Sequence, residues 1–184
     1  RSTANLFASD SEVATIPLHR VKLAGQITFN GKQSFFMQDA SGGVRVQLAE
    51  ERAMQVGQGV EVVGFPSASG TVRTLTEALV RPAGNIAEVS PQKLDAGEGI
   101  AFKHAGALVQ ISANLIAQRI KNGSQVLELQ EKQRIFEAEL PLENAPLPTF
   151  APGSRIQLRG VCDFAAVAPA VSGSVALESP STGA

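Results

Sequence analysis

The chain of 184 residues holds one cysteine and two histidines, and neither tryptophan nor tyrosine. The lone Cys162 cannot close an internal disulfide, so cysteine usage leaves the redox compartment open. His19 and His104 stand far apart with no second ligand at metal spacing, and no metal or cofactor is expected. Neither sign of charge is in excess: 16 Lys and Arg against 17 Asp and Glu give a net charge of −1. Nothing in that balance draws the whole chain to phosphate or to anionic lipid. No apolar run approaches the roughly 20 residues needed to span a bilayer, and no basic start followed by an apolar segment marks a signal peptide. The first residue is Arg rather than Met, which suggests a fragment whose targeting or anchoring segment lies outside it. Phosphate-cradling glycine loops and nucleophile elbows are missing from the sequence as well. Cys162 in "RGVCDF" has no activating partner nearby and reads as a buried structural residue. The expectation is a protein that is not an enzyme.

What the chain does have is alternation. Hydrophobic residues make up 43% and charged residues 18%, enough apolar material for packed cores. Val21, Leu23, Ile27 and Phe29 alternate with Lys22, Ala24, Gln26 and Thr28, placing the first set inside and the second outside a strand. An Asn-Gly turn at 30–31 then leads into Phe35 and Met37, and the "DASGG" turn into Val44, Val46 and Leu48. Asp39 in that turn is expected to accept backbone N–H bonds rather than to bind a metal. "AEERAM" prefers helix. "GQGVEVVGF" and "RTLTEALVR" complete five strands.

The plan then repeats. "GQGVEVVGF" from Gly57 and "GSRIQLRGV" from Gly153 share Gly-flanked alternation in one register, Val60 and Val62 answering to Ile156 and Leu158. "ALVQISANLIAQRI", "SQVLELQ" and "QRIFEAELP" supply the preceding strands of the second copy. Five strands with a helix after the third fit the OB-fold, and Gly25 fits a bulge in its strongly bent first strand. The expected fold class is therefore all-β with short helices, as tandem five-stranded OB-fold-like Greek-key barrels. The expected units are 12–83 and 105–180, joined by a Gly- and Pro-rich linker at 84–104. In the second copy the proline-rich "PLENAPLPTFAP" replaces the helix as an extended loop over one barrel end. The Ser-, Pro- and Gly-rich tail reads as a last strand with a frayed end.

OB barrels bind ligands across the outer face of their second and third strands. In the first copy that face carries Phe36, Gln38, Arg45 and Gln47, which are the candidate binding residues. An aromatic beside an arginine is the minimum needed to stack a base. The same positions of the second copy are Glu128, Gln130, Glu137 and Glu139, which would repel a phosphate backbone. Nucleic acid is therefore not the expected partner.

"VKLAGQITF", "FFMQDASGGVRVQL", "VGQGVEVVGF" and "PGSRIQLRGVC", taken in that order, resemble the extracytoplasmic β-barrel region of bacterial two-component sensor histidine kinases, including hybrid ones. The resemblance covers residues 18–163. It implies a non-catalytic sensor or binding module of a signal-transduction receptor, with an unknown small molecule or protein as ligand. It further implies a periplasmic or extracellular location, with membrane attachment through flanking segments and residues 83–104 as a hinge between the barrels. The competing readings are an OB-fold single-stranded nucleic-acid-binding protein and a structural or protein-interaction spacer. The spacer is preferred if the barrel faces pack together and leave no cleft.

Overall fold

The computed structural model describes residues 2–3, 19–31, 33–50, 52–67, 72–94, 102–142, 147–163 and 174–177. Strands β1 (Val21–Asn30), β2 (Ser34–Asp39), β3 (Gly42–Leu48), β4 (Gly59–Ser67) and β5 (Thr74–Pro82) close a barrel in the order β1-β2-β3-β5-β4. β6 (Gln92–Lys93) follows, then a 3-10 turn at Phe102–His104. The second sheet is built from β7 (Leu108–Lys121), β8 (Ser124–Glu131), β9 (Arg134–Pro141), β10 (Arg155–Asp163) and β11 (Ser174–Leu177). Its order β7-β8-β9-β11-β10 is closed by pairing of β10 with β7. In both barrels the third strand runs parallel to the fifth and every other pair is antiparallel, the Greek-key path of the OB-fold. The fold class expected from alternation is the one observed.

Inward side chains fill each cylinder. Leu23, Ile27, Phe35, Met37, Val44, Val46, Val60, Val62 and Leu75 form the first core. Val109, Ile111, Leu115, Leu127, Leu129, Phe136 and Leu140 lead the second. Burial of large apolar side chains at about 1.5–3 kcal/mol each is the main force holding either barrel closed.

The duplication extends to single hydrogen bonds. Gly57 and Gly153 have φ of +88° and +86°, a left-handed conformation that glycine adopts without strain. Gly57 N–H donates to the Ile27 carbonyl at 2.8 Å, and Gly153 N–H to that of Leu115 at 2.7 Å. Ile27 and Leu115 donate in return to the Gln58 and Ser154 carbonyls, both at 2.9 Å. One residue after each, the register shifts by a β-bulge, between Ile27 and Phe29 in β1 and between Leu115 and Ala117 in β7. Asn30 Nδ2 then donates to the Met54 carbonyl at 2.8 Å, and its counterpart Gln118 Nε2 to that of Pro148 at 3.1 Å.

Several expectations are corrected here. The bulge turns Thr28 inward and Phe29 outward, because an extra residue reverses the side-chain parity beyond it. Gly25 is not at the bulge. A Cβ there would lie 2.6 Å from the Gln38 carbonyl oxygen, so close approach of β1 to β2 is what requires glycine. The described residues of "AEERAM" form no helix. So short a segment does not repay helix nucleation, and its Met54 instead closes the barrel end at 8% exposure. Leu147 and Phe150 of the proline-rich segment pack against the core of the second barrel in the matching place.

The linker is no free hinge. Ala83 N–H donates to the Gly59 carbonyl and Val89 N–H to Gln26 Oε1, tying it to the first barrel. β6 then pairs with β7, and Leu94 enters the second core. Residues 95–101 lie outside the described residues, as does the tail beyond Leu177.

Candidate functional site

The outer face of β2 and β3 assembles as alternation requires. Phe36 stands opposite Arg45, Gln38 opposite Gly43 and Ser34 opposite Gln47. The Arg45 guanidinium lies over the Phe36 ring, 5.1 Å from its centroid, and Phe29, turned outward by the bulge, meets Phe36 edge-on at 6.3 Å.

This face is covered by the second barrel. Phe36 is 4% exposed and shares a cluster with Val72, Leu108 and Val161. Gln38 Oε1 accepts the Leu108 N–H at 2.8 Å. Arg45 forms an ion pair with Asp163, whose carboxyl is pushed above its ordinary value by burial, with Arg45 pulling the other way. Gly43 abuts Gly106 so closely that a side chain on Gly43 would overlap the Gly106 carbonyl. Phe36, Gln38 and Arg45 thus join the two barrels, while Gln47 remains exposed. The face is an inter-barrel contact, not an open groove.

The other residues weighed from sequence fall into place around this contact. Asp39 Oδ1 accepts N–H bonds from Ser41 and Gly42 at 2.7 and 3.1 Å, while Oδ2 accepts the Thr3 N–H and hydroxyl at 2.8 Å. Burial opposes its ionisation, but these bonds outweigh it and hold the carboxyl below its ordinary value. Cys162 is fully buried, and desolvation, aided by the Asp163 charge, pushes its thiol up to about 12. Such a thiol is not a nucleophile at neutral pH. Among the described residues no three His, Cys, Asp or Glu side chains gather as a metal site. On the second barrel Arg119 pairs with Glu137 and, at 2.9 Å, with Glu128, partly offsetting the acidic face.

Among the described residues, a different surface of the first barrel is open. The Arg20 guanidinium lies over the Phe65 ring, 5.2 Å from its centroid. Beside it, Lys22 and Arg81 both pair with Glu61, whose carboxyl is lowered chiefly by the Lys22 hydrogen bond and then by Arg81. His19, Arg20, Val21, Lys22, Leu23, Ala24 and Glu61 line a cleft of about 480 Å³. Sequence reasoning missed this cluster. Its available signal was the outward parity of Lys22 and Arg81, whereas the bulge between Val63 and Phe65 that places Phe65 is a tertiary feature.

No protein-family model matches the chain, and no curated protein matches it. Several solved structures are similar to it. They include a murine DNA-binding protein bound with ds DNA, at 9% identity over 84% of this chain and 93% of that one, with TM-score 0.45. The HINa domain of Ifi202 in complex with 20-bp dsDNA gives 12% identity over 87% and 93%, with TM-score 0.41. The p204 HINb domain gives 11% identity over 87% and 94%, with TM-score 0.39. At such identities the likeness concerns fold alone.

These findings overturn the sensor reading. None of these similar structures is a sensor histidine kinase region, and two of them are HIN domains. The assignment to a two-component signal-transduction module is withdrawn, and with it the periplasmic or extracellular placement that had no other support. Among the described residues no helix is long and apolar enough to cross a membrane. The expectation against nucleic acid as a partner is withdrawn as well: it rested on scarce cations, and Arg20, Lys22 and Arg81 gather on one surface of the first barrel; two of the similar structures carry dsDNA.

Proposed function

We propose that the chain is a non-catalytic nucleic-acid-binding module that uses the open outer surface of the first barrel. The observation that carries this reading is the Arg20–Phe65 pair beside Lys22 and Arg81 at the edge of a cleft. Three cations gather there with one carboxylate, two of them paired to it, a local excess of positive charge that the net charge of the chain conceals. Lys22, Arg81 and Arg20 neutralise phosphates and release counterions. Phe65 offers a ring on which an unpaired base stacks once Arg20 shifts aside, a contact of roughly 1–3 kcal/mol. Glu61 holds the two flanking cations in place until phosphate competes for them. The buried thiol of Cys162 and the turn-bound Asp39 support a role without catalysis.

Fluorescence anisotropy of a labelled single strand and its duplex, titrated at rising salt, tests the reading. Binding is expected at low salt and weakens as salt rises. The triple variant Arg20→Ala, Lys22→Ala, Arg81→Ala flattens the salt dependence, each phosphate contact removed lowering the slope by about 1. Phe65→Ala weakens the single strand more than the duplex. A folded wild-type protein that binds neither strand nor duplex at low salt sinks the proposal.

The covered β2–β3 face favours a second reading, a protein-interaction spacer, because the surface with which OB barrels bind ligands here binds the neighbouring barrel. Failure of the titration leaves that reading in place. We also propose 12–83 and 105–180 as the two units, with 84–104 between them. Limited proteolysis checks this, and first cuts within 21–82 or 108–163 count against it.

A further inference from the structure

The internal duplication makes one barrel a template for the other. Bonding and pairing equate Ile27 with Leu115 and Gly57 with Gly153. Counting back along β1 and β7 equates Arg20 with Leu108, and counting along β4 and β10 equates Phe65 with Val161. On the second strands, Met37 opposes Ile27 and Leu129 opposes Leu115, so Phe36 corresponds to Glu128. Across the hairpins Arg45 opposes Phe36 and Glu137 opposes Glu128, so Arg45 corresponds to Glu137.

Within the chain, the β2–β3 face of the first barrel receives the Leu108–Val161 end of the second. Each barrel has both surfaces, so two are left over among the described residues: the β8–β9 face of the second barrel and the Arg20–Phe65 end of the first. Their charges are opposite. The face carries Glu128, Glu137 and Glu139 around Arg119, while the end carries Arg20, Lys22 and Arg81 around Glu61. Exposed Ile135, 50% accessible, adds apolar area at the margin of the face, as the Phe65 ring does at the end.

We propose that the chain associates head to tail with a second copy of itself, the β8–β9 face of one copy docking on the Arg20–Phe65 end of the next. The polarity of the contact is inverted relative to the one inside the chain. There a cation on the face, Arg45, meets an anion on the end, Asp163; between copies an anion at Arg45's place, Glu137, meets a cation at Leu108's place, Arg20. That inversion separates the two contacts, because swapping partners would set Arg45 against Arg20 and Glu137 against Asp163. Such a contact is heterologous and closes into a ring or extends as a row. It uses the same cations as the proposed nucleic-acid surface, so oligonucleotide and second copy exclude one another.

Sedimentation velocity over a concentration series tests this with two variants that block opposite surfaces. The wild type is expected to exceed monomer mass as concentration rises and to return to monomer in high salt. Arg20→Ala with Lys22→Ala removes one surface, and Glu128→Gln with Glu137→Gln removes the other. Each variant alone runs as a monomer. Their equimolar mixture forms a dimer of one copy of each and nothing larger, since one wild-type face and one wild-type end remain. Glu139→Lys, which leaves the Arg119 pairs intact, covers the case in which the double acidic variant fails to fold and is expected to lower the mass. A wild type that stays monomeric, variants that leave the mass unchanged, or a mixture that stays monomeric overturns the proposal. The acidic-face variants retain oligonucleotide binding, so failure here and failure of the nucleic-acid reading are distinguishable.

Discussion

Gly43 in β3 faces Gly106 at the entry to β7 with no space between them: a Cβ on Gly43 would lie 1.8 Å from the Gly106 carbonyl oxygen. Backbone meets backbone at this point, and neither can yield by rotating a side chain. Around it lie the Arg45–Asp163 ion pair, the Gln38–Leu108 hydrogen bond and the Phe36 cluster. The two glycines thus set how closely the barrels approach.

Gly43→Ala is therefore expected to push the barrels apart while leaving each one closed. Overpacking of this kind costs about 1–3 kcal/mol, and lifting Phe36 out of its cluster adds to it. Urea unfolding measures the loss, and small-angle scattering should show a larger radius of gyration. An unchanged radius would mean that the glycine pair does not set the spacing.

Asp39 makes stability depend on acid. Burial raises its carboxyl, but the bonds from Ser41 and Thr3 outweigh that and bring it below the ordinary value of 3.8. A lowered folded value means that its stabilisation is fully present above the unfolded value and is lost as pH falls through the folded one. Asp39→Asn should cost on the order of 1 kcal/mol at neutral pH, and the difference from wild type should shrink below pH 3.8. Thermal melts of both proteins across that range check the sign.

Cys162 should resist alkylation while the protein is folded. With its thiol at about 12 and its side chain fully buried, almost no thiolate is present at neutral or mildly basic pH. Iodoacetamide labelling followed by mass spectrometry should show negligible modification of the native protein and rapid modification in denaturant. Fast labelling of the folded chain would place the thiol in an exposed, activated setting that the barrel does not provide.

Met54 and Phe150 occupy equivalent places at the ends of their barrels, each within the connection from third to fourth strand and three residues before its glycine, Gly57 or Gly153. Met54→Ala is expected to cost about 2–4 kcal/mol, since a buried side chain is replaced by a cavity. Phe150, only partly buried, should cost less when changed to Ala. Circular dichroism during chemical unfolding reads both, and a neutral Met54→Ala would show that the barrel end closes without it.

Much of the fold was legible because strand alternation is a local signal. Val60, Val62, Phe35 and Met37 face inward as their parity requires, and the glycines flanking β4 and β10 mark the repeat in the sequence itself. Phe29 was misplaced because a bulge has no sequence signature of its own: one extra residue at Thr28 reverses everything after it. "AEERAM" was misread because helix preference is weak in so short a segment, where the barrel's need for a closing side chain at Met54 prevails. Phe36, Gln38 and Arg45 share one face of β2 and β3, as parity requires. Its burial under the second barrel depends on residues far along the chain, Leu108 and Val161 among them, and no local pattern couples those segments.

The sequence by itself determined two rolled five-stranded ribbons, since the period of two and the recurring glycines act within a few residues of where they are read. Tertiary structure decided which outer surface stays open. Burial of Phe36 and exposure of the Arg20–Phe65 pair follow from how one barrel seats on the other, and that seating depends on the fit of Gly43 to Gly106 and on a cation meeting an anion across the contact. Such fit is a property of surfaces assembled from distant segments, so it exists only once both cylinders are closed.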